Sequence, residues 1–445
     1  MTRPKGNNAD LCIGRPAADN SKCPQNPITG YCGLIVILVA AVGLVIFHNQ
    51  RPEIVETIWP WRKVIIVLAV FLTMFIVEIG ALKTYRRNFD FSNPRHLSGD
   101  GWHRIFERYL ALTVCLTAVG VFLLFWDRVF PGFINFYCLA VPVLVILALP
   151  YFWLVERYAR KDGPIDEMLL FGSGLKLLCR SLIDHHAIKD AFKNLNSPDI
   201  HNLLRALLIK CFFIPFMTVS CIHWWQLWEI DTAEAIRWFG RQTSLHDLGL
   251  IVRMIERLII TLLSVTDLTI ALIGYLTSMR LLDTQFVSTE PTASGWIAAL
   301  ICYPPFNFLL QTYIWSKVYL WPEAAFAAQP IVSSIAAVLI VLLMIIYVWA
   351  TISFGMRFSN LSNRGIINHG PYAWVRHPAY ASKNVAWWLA ILPSLAAAPW
   401  LGMALLGVNL IYAARAWTEE RHLLKDVHYQ EYSKRILWRF IPGLI

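Results

Sequence analysis

The chain is short of charge. Only 15% of its 445 residues are Asp, Glu, Lys or Arg, against roughly 25% in soluble domains. A soluble globule with so few charges could not cover its own surface. Cys-x-x-Cys pairs are absent, and the cysteine count is odd at nine. That argues against a metal site or a disulfide framework and for small core residues. Internal repeats are absent too. No charged leader runs into an apolar stretch with a cleavage site, so the first apolar run reads as a membrane anchor, not a removable signal.

What fills the gap is apolar. The hydrophobic set reaches 57%, with 19 Trp, and the mean hydropathy is +0.51. These values predict an all-α, polytopic transmembrane bundle. A span needs roughly 20 mostly apolar residues. Ten candidates meet or approach that length: 31–47, 64–82, 109–126, 133–155, 205–228, 258–279, 295–315, 331–355, 384–395 and 397–416. The seventh holds Pro304 and Pro305, which remove two amide donors and must break or kink a helix. The last two are short and meet near Pro393 and Pro399, as a tight helical hairpin.

Net charge is +10. Nucleic-acid motifs are missing, so nucleic acid is not an expected partner. Basic residues in membrane proteins collect in cytoplasmic loops. With ten spans and a cytosolic N-terminus, inside segments carry 30 of the 39 Lys and Arg and outside segments 9. Both termini and the loops 83–108, 156–204 and 356–383 are therefore expected on the cytosolic face, of a bacterial inner membrane or of the endoplasmic reticulum. Within the longest loop, residues 168–183 read as an amphipathic helix, either lying in the interface or packed on the membrane domain. Trp59, Trp61, Trp102, Trp126, Trp153, Trp224, Trp225 and Trp228 fall near span ends and read as interfacial aromatics. Two acids fall inside apolar runs. Glu78 is near enough to its span's end to reach the interface; Asp267 is deeper, where a hydrogen bond to a neighbouring Ser or Thr competes with a substrate or proton role.

The chemistry concentrates after residue 363. Arg364 to Tyr380 reads RGIINHGPYAWVRHPAY, a cationic, aromatic loop between apolar spans. The hairpin returns the chain to the same face, at Arg415-Ala-Trp-Thr-Glu419-Glu420-Arg421. Carboxylates there can accept from ribose hydroxyls or an ammonium, and Arg376 and His377 can receive a carboxylate. Carboxylates and aromatic faces also suit a sulfonium.

The ordered set GPYAWVRHPAY, a helical hairpin, then TEE, Tyr429-x-x-Tyr432 and a final Ile441-Pro442-Gly443 resembles the isoprenylcysteine carboxyl methyltransferase family and the related phospholipid methyltransferases. The resemblance covers about the last 115 residues. It divides the chain into a cytosolic tail (1–30), a transmembrane region of unknown role (31–330) and a methyltransferase-like membrane domain (331–445). It implies an S-adenosyl-L-methionine-dependent transferase acting on a lipid-like or lipidated acceptor, with no metal. The implied cofactor site comprises Arg364, Gly365, Ile366 and Ile367; Tyr372, His377, Pro378, Ala379 and Tyr380; and Glu419, with Glu420 as the alternative register. Arg415 stands where that family places a substrate-orienting arginine. Tyr380 or His377 would serve as base for an acceptor that needs one. Ser382 departs from the pattern, where glycine is common. A more distant similarity is to NADPH-dependent membrane sterol reductases, but the reductase-type HRxxRD run is missing near residue 415. A non-catalytic lipid-binding protein is the third reading.

Overall fold

The computed structural model describes residues 27–50, 62–126, 133–161, 166–181, 195–241, 248–310, 329–395 and 398–444, with single positions 189, 193 and 312. It is 80% helical, with 12 helices and almost no sheet, as the composition requires. Backbone amides without water must bond within their own segment, and helices achieve this. Among the described residues, seven helices are long and apolar enough to cross a membrane. They are α1 (Ile28–Gln50), α2 (Arg62–Ile76, extended by a π-helical turn Val77–Ala81), α3 (Gly99–Trp126), α4 (Phe133–Tyr158), α6 (Pro198–Arg241), α7 (Leu248–Leu276) and α9 (Pro330–Phe354). The hairpin follows as α10 (Pro378–Leu395) and α11 (Trp400–Leu423), zipped by Trp387, Ile391, Leu405 and Tyr412. Short helices α5 (Glu167–Ser181), α8 (Ala293–Leu300) and α12 (Val427–Arg435) complete the set.

The expected seventh span is not one continuous helix among the described residues. Helix α8 stops at Leu300, and turns carry the chain through Pro304 and Pro305, where the donors are missing. The ends of α7 and α9 lie together: Thr277 Oγ1 donates to Met356 O at 3.1 Å, and Asp267 binds Tyr347 and Thr351. The two helices are therefore parallel neighbours.

The same logic gathers one end of the bundle. Thr29 meets Glu78, Arg104 and Arg108 meet Glu156, Asn202 meets Glu167, and Arg205 meets Thr289. Segments 78–108, 151–161, 166–181, 195–205, 276–292, 355–377 and 415–444 therefore share that end. These include the segments expected to be basic and cytosolic. At the other end the cations are neutralised locally, as Arg62–Glu229, Arg257–Asp231 and Arg253–Glu256. Helix α6 runs 44 residues, about 66 Å at 1.5 Å per residue, so it projects well beyond a hydrocarbon layer of roughly 30 Å.

Several local expectations change. Glu78 does not reach the interface: it is 2% exposed and accepts from Thr29 Oγ1 at 2.7 Å. Asp267 takes the bland role, held by Tyr347 Oη at 2.8 Å and Thr351 Oγ1 at 2.5 Å. Trp225 and Trp228 are core residues beside Val70 and Met74, not interfacial ones. Trp59 and Trp61 lie outside the described residues. The amphipathic segment forms α5 and packs on α3, where Gly172 admits the Glu107 backbone and Phe171 joins Ala111 and Ile200.

Candidate functional site

The loop entering the site is pinned from beneath. Two residues of β1 (Ser288–Thr289) pair antiparallel with β2 (Ser362–Asn363), tying the 276–292 segment to the turn before α10. Arg364 is 2% exposed. Its guanidinium donates to the carbonyls of Thr284, Gly274, Phe358 and Thr277. Burial and the neighbouring Arg357 pull it down to about 9. It is a staple between segments, turned away from the cleft described below. Gly365 has φ +111°, and a Cβ there would sit 2.4 Å from Arg357 Nη1, so only glycine fits. Ile366 packs beneath Tyr429 and Tyr432, and Ile367 is buried.

From Gly370 the chain makes a 3₁₀ turn, Gly370–Ala373, that seats Tyr372 edge-on to Phe354 at 5.3 Å. Tyr432 Oη donates to Tyr372 O. His377 precedes the first turn of α10, which Pro378 and Ala379 open, proline being suited to a first helical turn. The C-terminal segment straps this loop: Arg376 N donates to Trp438 O and His377 N to Arg439 O.

The two adjacent glutamates separate. Successive helical residues point about 100° apart, so they cannot share a role. Glu420 is 3% exposed and surrounded by cations: His377 Nε2 at 3.1 Å, Arg376 Nη1 at 3.2 Å and Arg439 Nε at 3.0 Å. Burial pushes its carboxyl up, but those three partners outweigh burial and hold it below the usual carboxylate range. Glu419 instead faces a cleft and accepts from Tyr380 Oη at 2.8 Å. His377 stacks on Tyr380 with ring centres 5.3 Å apart.

That cleft is open to solvent. Tyr380, Arg415 and Glu419 line it, joined by Glu290, Asn360 and His422. Arg415 is 7% exposed and makes no salt bridge with a carboxylate. Its guanidinium lies between the rings of Tyr303 and Tyr380, 5.4 and 5.2 Å from their centres, and Nη2 donates to Asn360 Oδ1 at 2.5 Å. A buried cation compensated, among the described residues, by aromatic faces, the Tyr303 hydroxyl at 3.3 Å and an amide is ready for an anion.

Of the residues expected at the site, Tyr380, Arg415 and Glu419 meet in the cleft. His377 and Glu420 form the buried pair behind it. Tyr372 and Arg364–Ile367 build the supporting wall. Glu290, Tyr303, Asn360 and His422 were not expected. His422 was findable, since positions 415, 418, 419 and 422 fall on one helical face. Glu290 was not: its place depends on a two-residue strand pairing across more than seventy residues of sequence.

A model of the isoprenylcysteine carboxyl methyltransferase (ICMT) family matches residues 332–425, about a fifth of the chain. It spans α9, the strapped loop and the hairpin, and ends just beyond the cleft. No curated protein and no solved structure matches the chain.

Proposed function

We propose that the protein is an integral-membrane methyltransferase that uses S-adenosyl-L-methionine and methylates a lipid-like or lipidated acceptor at the cytosolic membrane face. The observation that carries this reading is Arg415: a buried guanidinium, paired with no carboxylate among the described residues, beside Glu419 and Tyr380 in a cleft at one end of the bundle. The family match over 332–425 supports methyl transfer.

The residues present fit the cofactor. Glu419 offers a carboxylate with one hydrogen-bonded partner, Tyr380. Tyr380 and Tyr303 offer aromatic faces, which favour a sulfonium. The backbone from Gly365 to Ala379 supplies the wall behind them. When bound, S-adenosyl-L-methionine would supply an already activated methyl. The protein's part is then alignment, and proximity alone can contribute several kcal/mol. Arg415 would orient the acceptor's anionic group, a guanidinium being matched to bidentate carboxylate or phosphate contacts. His377, fixed by Glu420, would hold the Tyr380 ring in place.

The test is ligand-induced stabilisation of the purified full-length protein. S-adenosylhomocysteine at one hundred times its dissociation constant should add about 2.7 kcal/mol. NADPH should add nothing. Stabilisation by NADPH alone would replace this reading with the reductase one. Lipid extraction after incubation with methyl-labelled cofactor would then identify the acceptor.

A further inference from the structure

The α8 side of the cleft carries a group that the proposed function leaves unused. His422 lies on the same face of α11 as Arg415 and Glu419, lines the cleft, and is 6% exposed. Its Nε2 is 3.1 Å from Ser288 Oγ. Its Nδ1 is buried with no hydrogen-bond partner, 4.0 Å from Glu290 Oε2. Ser288 and Glu290 are two residues apart on extended backbone, so both point to the same side of β1. Glu290 is itself 3% exposed and held by Thr292 N at 3.0 Å and by Arg421 Nη2 at 3.3 Å.

This is a base with an orienting carboxylate. The charged groups facing the ring are Glu290 from the segment after β1, and Glu419 and Lys425 along its own stretch of chain. With its proton on Nδ1, on the side of Glu290, the ring would present the Nε2 lone pair to a hydroxyl, here Ser288. Burial holds the imidazole below its ordinary value, with Glu290 opposing, so the ring is neutral and able to take a proton at pH 7.

We propose that His422, oriented by Glu290 and bonded to Ser288, takes a proton from the methyl acceptor, and that the acceptor's nucleophile is therefore an amine or a hydroxyl rather than a carboxylate. The inference rests on the methyl-transfer reading above. A carboxylate carries no proton at neutral pH and would leave the base idle. In the balanced step the acceptor's lone pair forms the bond to the methyl carbon, and the methyl–sulfur pair stays on sulfur, giving S-adenosylhomocysteine. The acceptor's proton passes to His422 Nε2, directly or through the Ser288 hydroxyl, and the resulting imidazolium is stabilised by Glu290.

The experiment uses the full-length protein in lipid nanodiscs formed from its native membrane. Calorimetry with S-adenosylhomocysteine comes first; no binding would sink the methyl-transfer reading and this inference with it. Given binding, His422→Gln should keep that affinity within about twofold. Labelled methyl transfer to the native lipids should fall by about 100-fold or more, as for loss of a positioned base. Added imidazole should restore part of the rate in His422→Ala. The labelled product should resist mild alkali. A product that releases labelled methanol in alkali is a methyl ester and overturns the inference while leaving methyl transfer standing. So does a His422→Gln protein with wild-type turnover.

Discussion

Glu420→Gln and Glu419→Gln change one atom each at adjacent positions, and their effects should be opposite in kind. Glu420 faces His377, Arg376 and Arg439 at 3.0–3.2 Å. The Arg376 and His377 side chains are 11% and 5% exposed, whereas that of Arg439 is 50% exposed. The Arg439 contact is therefore solvent-screened and counts for little. Neutralising Glu420 leaves the two buried partners without their anion. The cost lies between ~1.5 kcal/mol for one charge-assisted hydrogen bond and ~5 kcal/mol for a broken buried pair, and about 3 kcal/mol is the expected loss. Glu419→Gln can still accept from Tyr380 through its amide oxygen, so folding should lose under about 1 kcal/mol. Its cofactor affinity should fall by about 10- to 100-fold, the worth of one charge-assisted bond. Thermal unfolding in detergent and calorimetry with S-adenosylhomocysteine read the two quantities separately. A stable Glu420→Gln protein that has lost cofactor, beside a Glu419→Gln protein that retains it, would refute this assignment of the acid pair.

Other outcomes follow from single contacts. Arg415→Lys should impair turnover while leaving S-adenosylhomocysteine affinity within a few fold, because an ammonium cannot lie flat between Tyr303 and Tyr380 or bind an anion bidentately; calorimetry and labelled turnover separate the two. Gly172→Ala places a Cβ 1.9 Å from Glu107 O, so α3 and α5 must part, at a cost of about 1–3 kcal/mol readable as a lowered melting temperature. The Glu420 carboxyl is held low in the folded state, so its contribution to stability is complete above the ordinary glutamate range and is lost as pH falls through the folded value. Acid melting of the wild type should therefore steepen below about pH 4.5, and Glu420→Gln should remove that part of the slope.

Most of the helical framework was legible because apolar length is a strong signal. Seven of the ten expected spans appear as long apolar helices, and the last two form the hairpin. What a one-dimensional pattern could not supply was direction. Glu78 and Asp267 look alike as acids in apolar runs, and each accepts from a hydroxyl of another helix, Thr29 or Thr351. Trp225 and Trp228 sit at a span end by sequence and in the core by packing. At the candidate site, the family-like motif falls on the turn and the helix beside the cleft. It could not tell that Arg364 points into backbone carbonyls while Arg415 points into the cleft, since both are arginines flanking apolar segments. The face of α11 decides the second, and the β1–β2 pairing decides the first.

The matched segment also depends on what precedes it. Arg357 and Arg364 are each 2% exposed. Arg357 Nη2 donates to Asp283 at 2.6 Å, and Arg364 donates to carbonyls of residues 274, 277 and 284. All of those acceptors but Phe358 O and Arg364 O lie before residue 330. Glu290, which lines the cleft, and the Tyr303 ring against Arg415 lie there too. Cutting the chain at 330 would strand two buried guanidinium groups, each costing several kcal/mol without its partners, against a net stability of only 5–15 kcal/mol for a typical protein. Residues 331–445 expressed alone should therefore fail to accumulate as a folded protein. The same residues co-expressed with 1–330 should be recovered together by affinity capture of either piece, because the acceptors for Arg357 and Arg364 are restored. A stable 331–445 fragment that binds S-adenosylhomocysteine with full affinity would show that the upstream helices are dispensable for the site and that the Asp283 and Gly274 contacts carry no weight.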